Sequence, residues 1–193
     1  MTATPKVLVF AGSARKASLN KKLARLAAES LQQQGVEATF IDLADFEMPI
    51  YDGDWEDTNG LPENAKKLKK LFLEHQGLLI AAPEYNSSMT PLLKNTLDWV
   101  SRTETDDEPS LSAYRGKVAA LVATSPGGFG GLRGLIPLRM MLENIQVMVI
   151  PQQLAVAKGF EAFDASGALA NPGVKQQLDS VTASLAAVLK KLA

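Results

Sequence analysis

Five residues within nine positions, Gly12, Ser13, Arg15, Ser18 and Asn20, carry the clearest chemical potential of this chain, that of anion binding. They stand between Val7, Leu8, Val9 and Phe10, which read as a buried parallel strand, and Leu23, Leu26, Ala27 and Leu31, spaced as the inner face of a helix. A helix starting near Ser18 or Leu19 turns its unpaired backbone N–H groups and the positive end of its dipole toward the strand end, where a dianion is favoured. Ser13, Ser18 and Asn20 add neutral donors, and Arg15 adds a charged planar fork suited to phosphate oxygens. Singly, Ser18 reads as an N-cap, Gly12 as a turn residue and Arg15 as a solvated charge; together they point to a phosphate. The turn lacks GxxxxGKS/T and GxGxxG, so neither a triphosphate cradle nor a dinucleotide fingerprint is present. Gly128 and Gly130 approach the second pattern, but Arg133 stands at its third glycine.

Two further polar segments follow apolar runs. Pro83, Glu84, Tyr85 and Asn86 form a turn after the third run, where proline leaves the ladder, tyrosine offers an apolar face with a hydroxyl tip, and asparagine offers donor and acceptor. Such a turn can edge a planar heterocycle, although turn-formers ahead of Pro91 at a helix start would look similar. After the fourth run, Ser125, Gly127 and Gly128 belong to a loop nearly free of side chains, which lets backbone approach a flat ligand. A phosphate socket, a polar-aromatic edge and a bare backbone wall suit a phosphorylated, planar cofactor.

The elements that must position these groups alternate. Strands are predicted at 6–11, 38–42, 78–82, 118–124 and 147–150, and helices at 20–34, 63–75, 91–101, about 135–144 and 172–192. Crossover helices between five strands imply a doubly wound five-stranded parallel sheet with helices on both faces, an α/β fold in which ligands sit beyond the strand C-termini where strand order switches. In the last helix Val174, Leu178, Val181, Leu185, Val188 and Leu192 form one apolar stripe, explained by packing on the sheet. Segments 43–62, 102–116 and 151–171 are long for plain connections, and the acidic run 103–108 is expected to be mobile. Pro137 is expected to mark a helix start, leaving 127–134 as loop.

Composition narrows the function classes. The 193 residues suit a single domain, 1–193, able to bury roughly 70% of its unfolded surface. With no cysteine and one histidine, disulfides, thiolate sites and multi-histidine metal sites are excluded, and His75 is expected to be structural at a helix end. Twenty basic against twenty-one acidic residues give no footprint for nucleic acid or an anionic membrane. No signal segment opens the chain, and no apolar run approaches the ~20 residues of a membrane span, so a cytoplasmic location is expected.

The motifs GSxRxxSxN (Gly12, Ser13, Arg15, Ser18, Asn20) and PEYNxSxxxxLKNxxDW (Pro83 to Asn86, Ser88, Leu93, Lys94, Asn95, Asp98, Trp99) resemble the NADPH-dependent FMN reductase family. This flavodoxin-like group includes quinone, azo-dye and chromate reductases, and the resemblance spans nearly the whole chain. It implies that Ser13, Arg15, Ser18, the Leu19 N–H and Asn20 hold the FMN phosphate. Pro83, Glu84, Tyr85 and Asn86 would line the isoalloxazine ring, and Ser125, Gly127 and Gly128 its other edge. It further implies NADPH or NADH as co-substrate, a small-molecule electron acceptor, ping-pong turnover, and a homodimer or homotetramer with Leu92, Thr96 and Trp99 at the dimer contact. No catalytic acid or base is demanded, because the ring does the chemistry. The rivals are a flavodoxin-type electron carrier serving a protein partner and a non-redox sensor of a phosphorylated metabolite.

Overall fold

The computed structural model describes residues 4–192; residues 1–3, part of the start read as lacking a signal segment, and Ala193 lie outside them. Five strands, β1 (Lys6–Ala11), β2 (Glu37–Ile41), β3 (Gly77–Ala81), β6 (Val118–Thr124) and β7 (Met148–Val156), form one parallel sheet in the order β2-β1-β3-β6-β7. β3 and β6 are buried along their whole length, which is why they read as unbroken apolar runs. Successive strand residues face opposite sides and feed two cores. Val7, Val9, Leu79 and Val122 meet α1 (Leu19–Gln33) and α6 (Pro172–Leu192). Leu8, Phe10, Ile80 and Leu121 meet α3 (Glu63–Glu74), α4 (Pro91–Ser101) and α5 (Leu132–Asn144). Strand order reverses between β1 and β3, so the crevice beyond their C-termini is where such a sheet takes a ligand.

Several local expectations change. Pro137 lies inside α5, which starts at Leu132. The buried stripe Leu135, Leu138 and Leu142 outweighs the hydrogen bond that proline cannot donate. β7 continues past Pro151, because the register against β6 shifts between Ala119 and Leu121 and an edge strand tolerates proline at such an irregularity. Segment 43–62 contains a 3-10 turn, Leu43–Asp45, and α2 (Gly53–Asn59), whose N-cap Asp52 accepts from Trp55 N–H. The turn after β3 is a two-stranded hairpin, β4 (Glu84–Tyr85) against β5 (Ser88–Met89). Asn86 and Ser87 both have positive φ, +51° and +66°, as a two-residue hairpin turn requires. Glu108, in the run expected to be mobile, is anchored by Lys69, Ser112 and the Glu104 N–H.

Thr96 and Trp99, expected at a subunit contact, are buried within the chain. Trp99 Nε1 donates to Pro49 O at 2.8 Å, and Asn95 clasps the same segment through Pro49 O and Tyr51 N–H. The rings of Tyr51 and Trp55 stand edge-on to Trp99 at 5.0 and 5.6 Å. The NxxxW part of the second motif therefore holds the chain after β2. His75 is also a buried, satisfied group, bonded to Leu71 O at 2.6 Å and Thr39 Oγ1 at 2.8 Å.

Candidate cofactor site

One cleft at the C-terminal rim is lined by Ser13, Arg15, Ala17, Ser18, Leu19, Asn20, Pro83, Glu84, Tyr85, Thr124, Ser125, Pro126 and Phe160. Three loops that are distant in sequence thus converge where β1 and β3 end. Their placement begins at Gly12, where a Cβ would lie 2.9 Å from Leu93 Cβ, so only glycine lets α4 start against the β1 turn. Thr90 secures that contact, donating to Gly12 O at 2.7 Å while capping α4 through Leu93 N–H.

At one end of the cleft Ser18 caps α1 by accepting from Lys21 N–H. The Leu19 and Asn20 N–H groups have no partner among the described residues, so two donors at the positive end of the helix stand free. Ser13 is buried and accepts from Arg15 N–H at 3.3 Å; the Arg15 side chain is exposed. Asn20 has a second task. Its Nδ2 donates to Thr124 O at 2.9 Å and its Oδ1 accepts from Thr124 N–H at 3.0 Å, tying α1 to the end of β6. That leaves it one amide hydrogen and its backbone N–H for a ligand. Lys21, although on the same turn, is consumed by Asp42 at 2.6 Å. Burial pushes the Asp42 carboxyl up, but the Lys21 ammonium and the Ala44 N–H together hold it below the ordinary value.

Opposite, Pro83, Glu84 and Tyr85 form a wall, with Tyr85 half exposed. Ser125 contributes the third side, its carbonyl accepting from Gly159 N–H at 2.9 Å. Asn86, Gly127 and Gly128 do not line the cleft; Asn86 turns the hairpin, and the two glycines are exposed in the loop after Pro126. Ala17, Thr124, Pro126 and Phe160 do line it and were not anticipated. Thr124 follows directly from the end of β6, whereas Phe160 sits in an irregular segment with no periodicity to reveal it.

The donor set fits a phosphate monoester dianion: free helix N–H groups, hydroxyls and a guanidinium, with no carboxylate among the residues of that turn. The adjoining walls, proline, tyrosine and backbone, suit a flat ring. A cleft of this kind on a doubly wound sheet in the order β2-β1-β3-β6-β7 defines a flavodoxin-like flavin-binding protein. The sequence profile of the NADPH-dependent FMN reductase family matches residues 5–161, and the chain belongs to that family. It is an oxidoreductase whose cofactor is FMN and whose co-substrate is a nicotinamide dinucleotide. The NAD(P)H-dependent FMN reductase of Pseudomonas aeruginosa is 34% identical over 91% of this chain and 92% of its own. The 2-hydroxy-1,4-benzoquinone reductase of a Burkholderia species is 32% identical over 91% of both chains. Among solved structures, the flavoenzyme NAD(P)H:(acceptor) oxidoreductase of Paracoccus denitrificans superposes with a TM-score of 0.82 at 25% identity, covering 97% of this chain and 98% of its own.

Proposed function

We propose that this chain is an NAD(P)H-dependent, FMN-containing reductase of small planar acceptors, quinones first among them. The observation that carries this reading is the convergence of residues 13–20, 83–85 and 124–126 on one cleft at the strand-order switch, with the α1 N-terminus free. The relatives named for quinone and flavin reduction support the acceptor class.

When bound, FMN would supply the redox chemistry, a two-electron exchange between a nicotinamide and a second substrate. Ser13, Arg15, Ser18 and the Leu19 and Asn20 N–H groups would hold its phosphate and so fix the position of the ring. Pro83, Glu84 and Tyr85 would border one edge of the ring, with Asn86 shaping the hairpin that carries them. Ser125 would border the other edge, while Gly127 and Gly128, which lie outside the cleft, would reach it only through movement of their loop. Tyr85, half exposed, is the surface on which an incoming acceptor rests. Positioning and exclusion of water account for the protein's part, with no acid or base side chain required. The site works in a cytoplasmic homodimer or homotetramer.

Anaerobic mixing of the FMN-loaded protein with NADPH tests this. The visible flavin absorbance is expected to bleach within seconds and to return when benzoquinone is added. A flavin that keeps its colour with NADPH overturns the reading and favours a carrier that meets a protein partner.

A further inference from the structure

Glu84 faces the cleft in an unusual electrostatic setting. Its side chain is only 8% exposed, and its Oε1 takes both contacts of the Arg133 guanidinium, 2.6 Å from Nη2 and 2.8 Å from Nε. Its Oε2 is buried with no hydrogen-bond partner. A carboxylate shielded from water and bonded through one oxygen projects its charge through a weakly screening medium. Two features of α5 oppose that charge. The helix starts beside the hairpin, since a Cβ on Gly134 would lie 3.1 Å from Ser88 O and 3.3 Å from Glu84 Cβ, and this sets its positive end near the carboxylate. Arg133, in the same first turn, supplies a full charge, with its guanidinium 5.3 Å from the centre of the Phe129 ring.

We infer that Arg133, which does not line the cleft, sets the potential at which the ring bordered by Glu84 accepts electrons. Reduction adds negative charge to the ring, an uncompensated Glu84 carboxylate opposes that addition, and Arg133 offsets the opposition. Arg133 is thus a positioning residue that acts through Glu84. The inference rests on the flavin reading of the cleft and deepens it. The same pair explains how the PEYN turn can carry an acid next to a group that gains electrons.

The test is the midpoint potential of bound FMN, measured by equilibrium reduction against a reference dye, with oxidised-FMN affinity and thermal melting recorded for each variant. R133Q is expected to shift the potential negative, E84Q to shift it positive, and E84Q/R133Q to return close to the parent value. R133K, which keeps the charge, is expected to keep the potential. Each tenfold change in the ratio of reduced- to oxidised-flavin affinity corresponds to about 30 mV for a two-electron couple. A purely structural pair would lower stability in both single variants without shifts of opposite sign. Potentials of R133Q and E84Q that match the parent overturn the inference and leave the flavin reading standing. A parent protein that takes up no FMN overturns both.

Discussion

The α3–α4 flank and the C-terminal rim treat polar groups in opposite ways. On the flank every buried charge has its partner: Lys69, 2% exposed, lies 2.6 Å from the Glu108 carboxylate and from Arg102 O. Glu108 also accepts from the Ser112 hydroxyl and the Glu104 N–H, and the buried Tyr114 hydroxyl donates to Leu97 O at 2.7 Å. On the rim the Leu19 and Asn20 N–H groups and Glu84 Oε2 have no partner among the described residues. An unpaired buried polar atom costs about 1 to 3 kcal/mol, so the unpartnered Glu84 Oε2 stands out against the fully paired flank, and the proposed function gives the rim groups a ligand. Flank polarity maintains the fold, and rim polarity is left without protein partners among the described residues.

The largest effect expected from that contrast is on the flank. Glu108→Ala leaves the Lys69 ammonium buried without its anion and is expected to cost about 3 to 5 kcal/mol in urea unfolding. FMN affinity of the folded fraction should hardly change, and a parallel loss of affinity would erase the distinction between the two regions. Next is Arg15→Ala, expected to weaken FMN binding to the apoprotein by about 1.5 to 3 kcal/mol in a titration while leaving its melting temperature in place. Unchanged affinity would mean that the exposed guanidinium serves solvent alone.

Ser18 belongs to both classes, as cap and as candidate phosphate ligand. Ser18→Ala should lower stability by about 1 kcal/mol, and added FMN should restore less of that stability than it adds to the parent protein. The smallest effect concerns Asp42, whose carboxyl is held below its ordinary value of 3.8 in the folded chain. A lowered folded value means that the carboxylate stabilises the fold fully above about pH 4, and that this contribution fades as acid takes the pH below 3.8. Asp42→Asn should therefore be destabilised relative to the parent at pH 6, with the gap narrowing toward pH 2 in urea midpoints.

The contrast also marks where reading the chain succeeds. The apolar runs of β1, β3 and β6 and the stripes of α1, α4 and α6 were legible, because burial on a two-sided sheet demands unbroken apolar strands and helices with 3.6-residue periodicity. That Ser13, Arg15, Ser18, Leu19 and Asn20 share one cleft was legible for a related reason: they lie within one strand-to-helix turn, so spacing along the chain is close to spacing in the fold. The continuation of β7 past Pro151 and the α5 turn ahead of Pro137 were not legible, since local proline chemistry argues against both. Packing against β6 and the burial of Leu135, Leu138 and Leu142 decide them.

By itself, then, the order of residues determined which local segments could be strand, helix or polar strand-to-helix turn, because those preferences act over a few residues. Tertiary structure alone decided which polar groups remain unpaired. Asn20 is bound to Thr124, 104 positions away, and Glu84 to Arg133, 49 positions away. Trp99 holds the backbone at Pro49, 50 positions away, while Phe160 comes to the cleft from beyond the last strand. Such pairings follow from the parallel crossovers that bring distant strand ends to one rim, and spacing along the chain carries no trace of them.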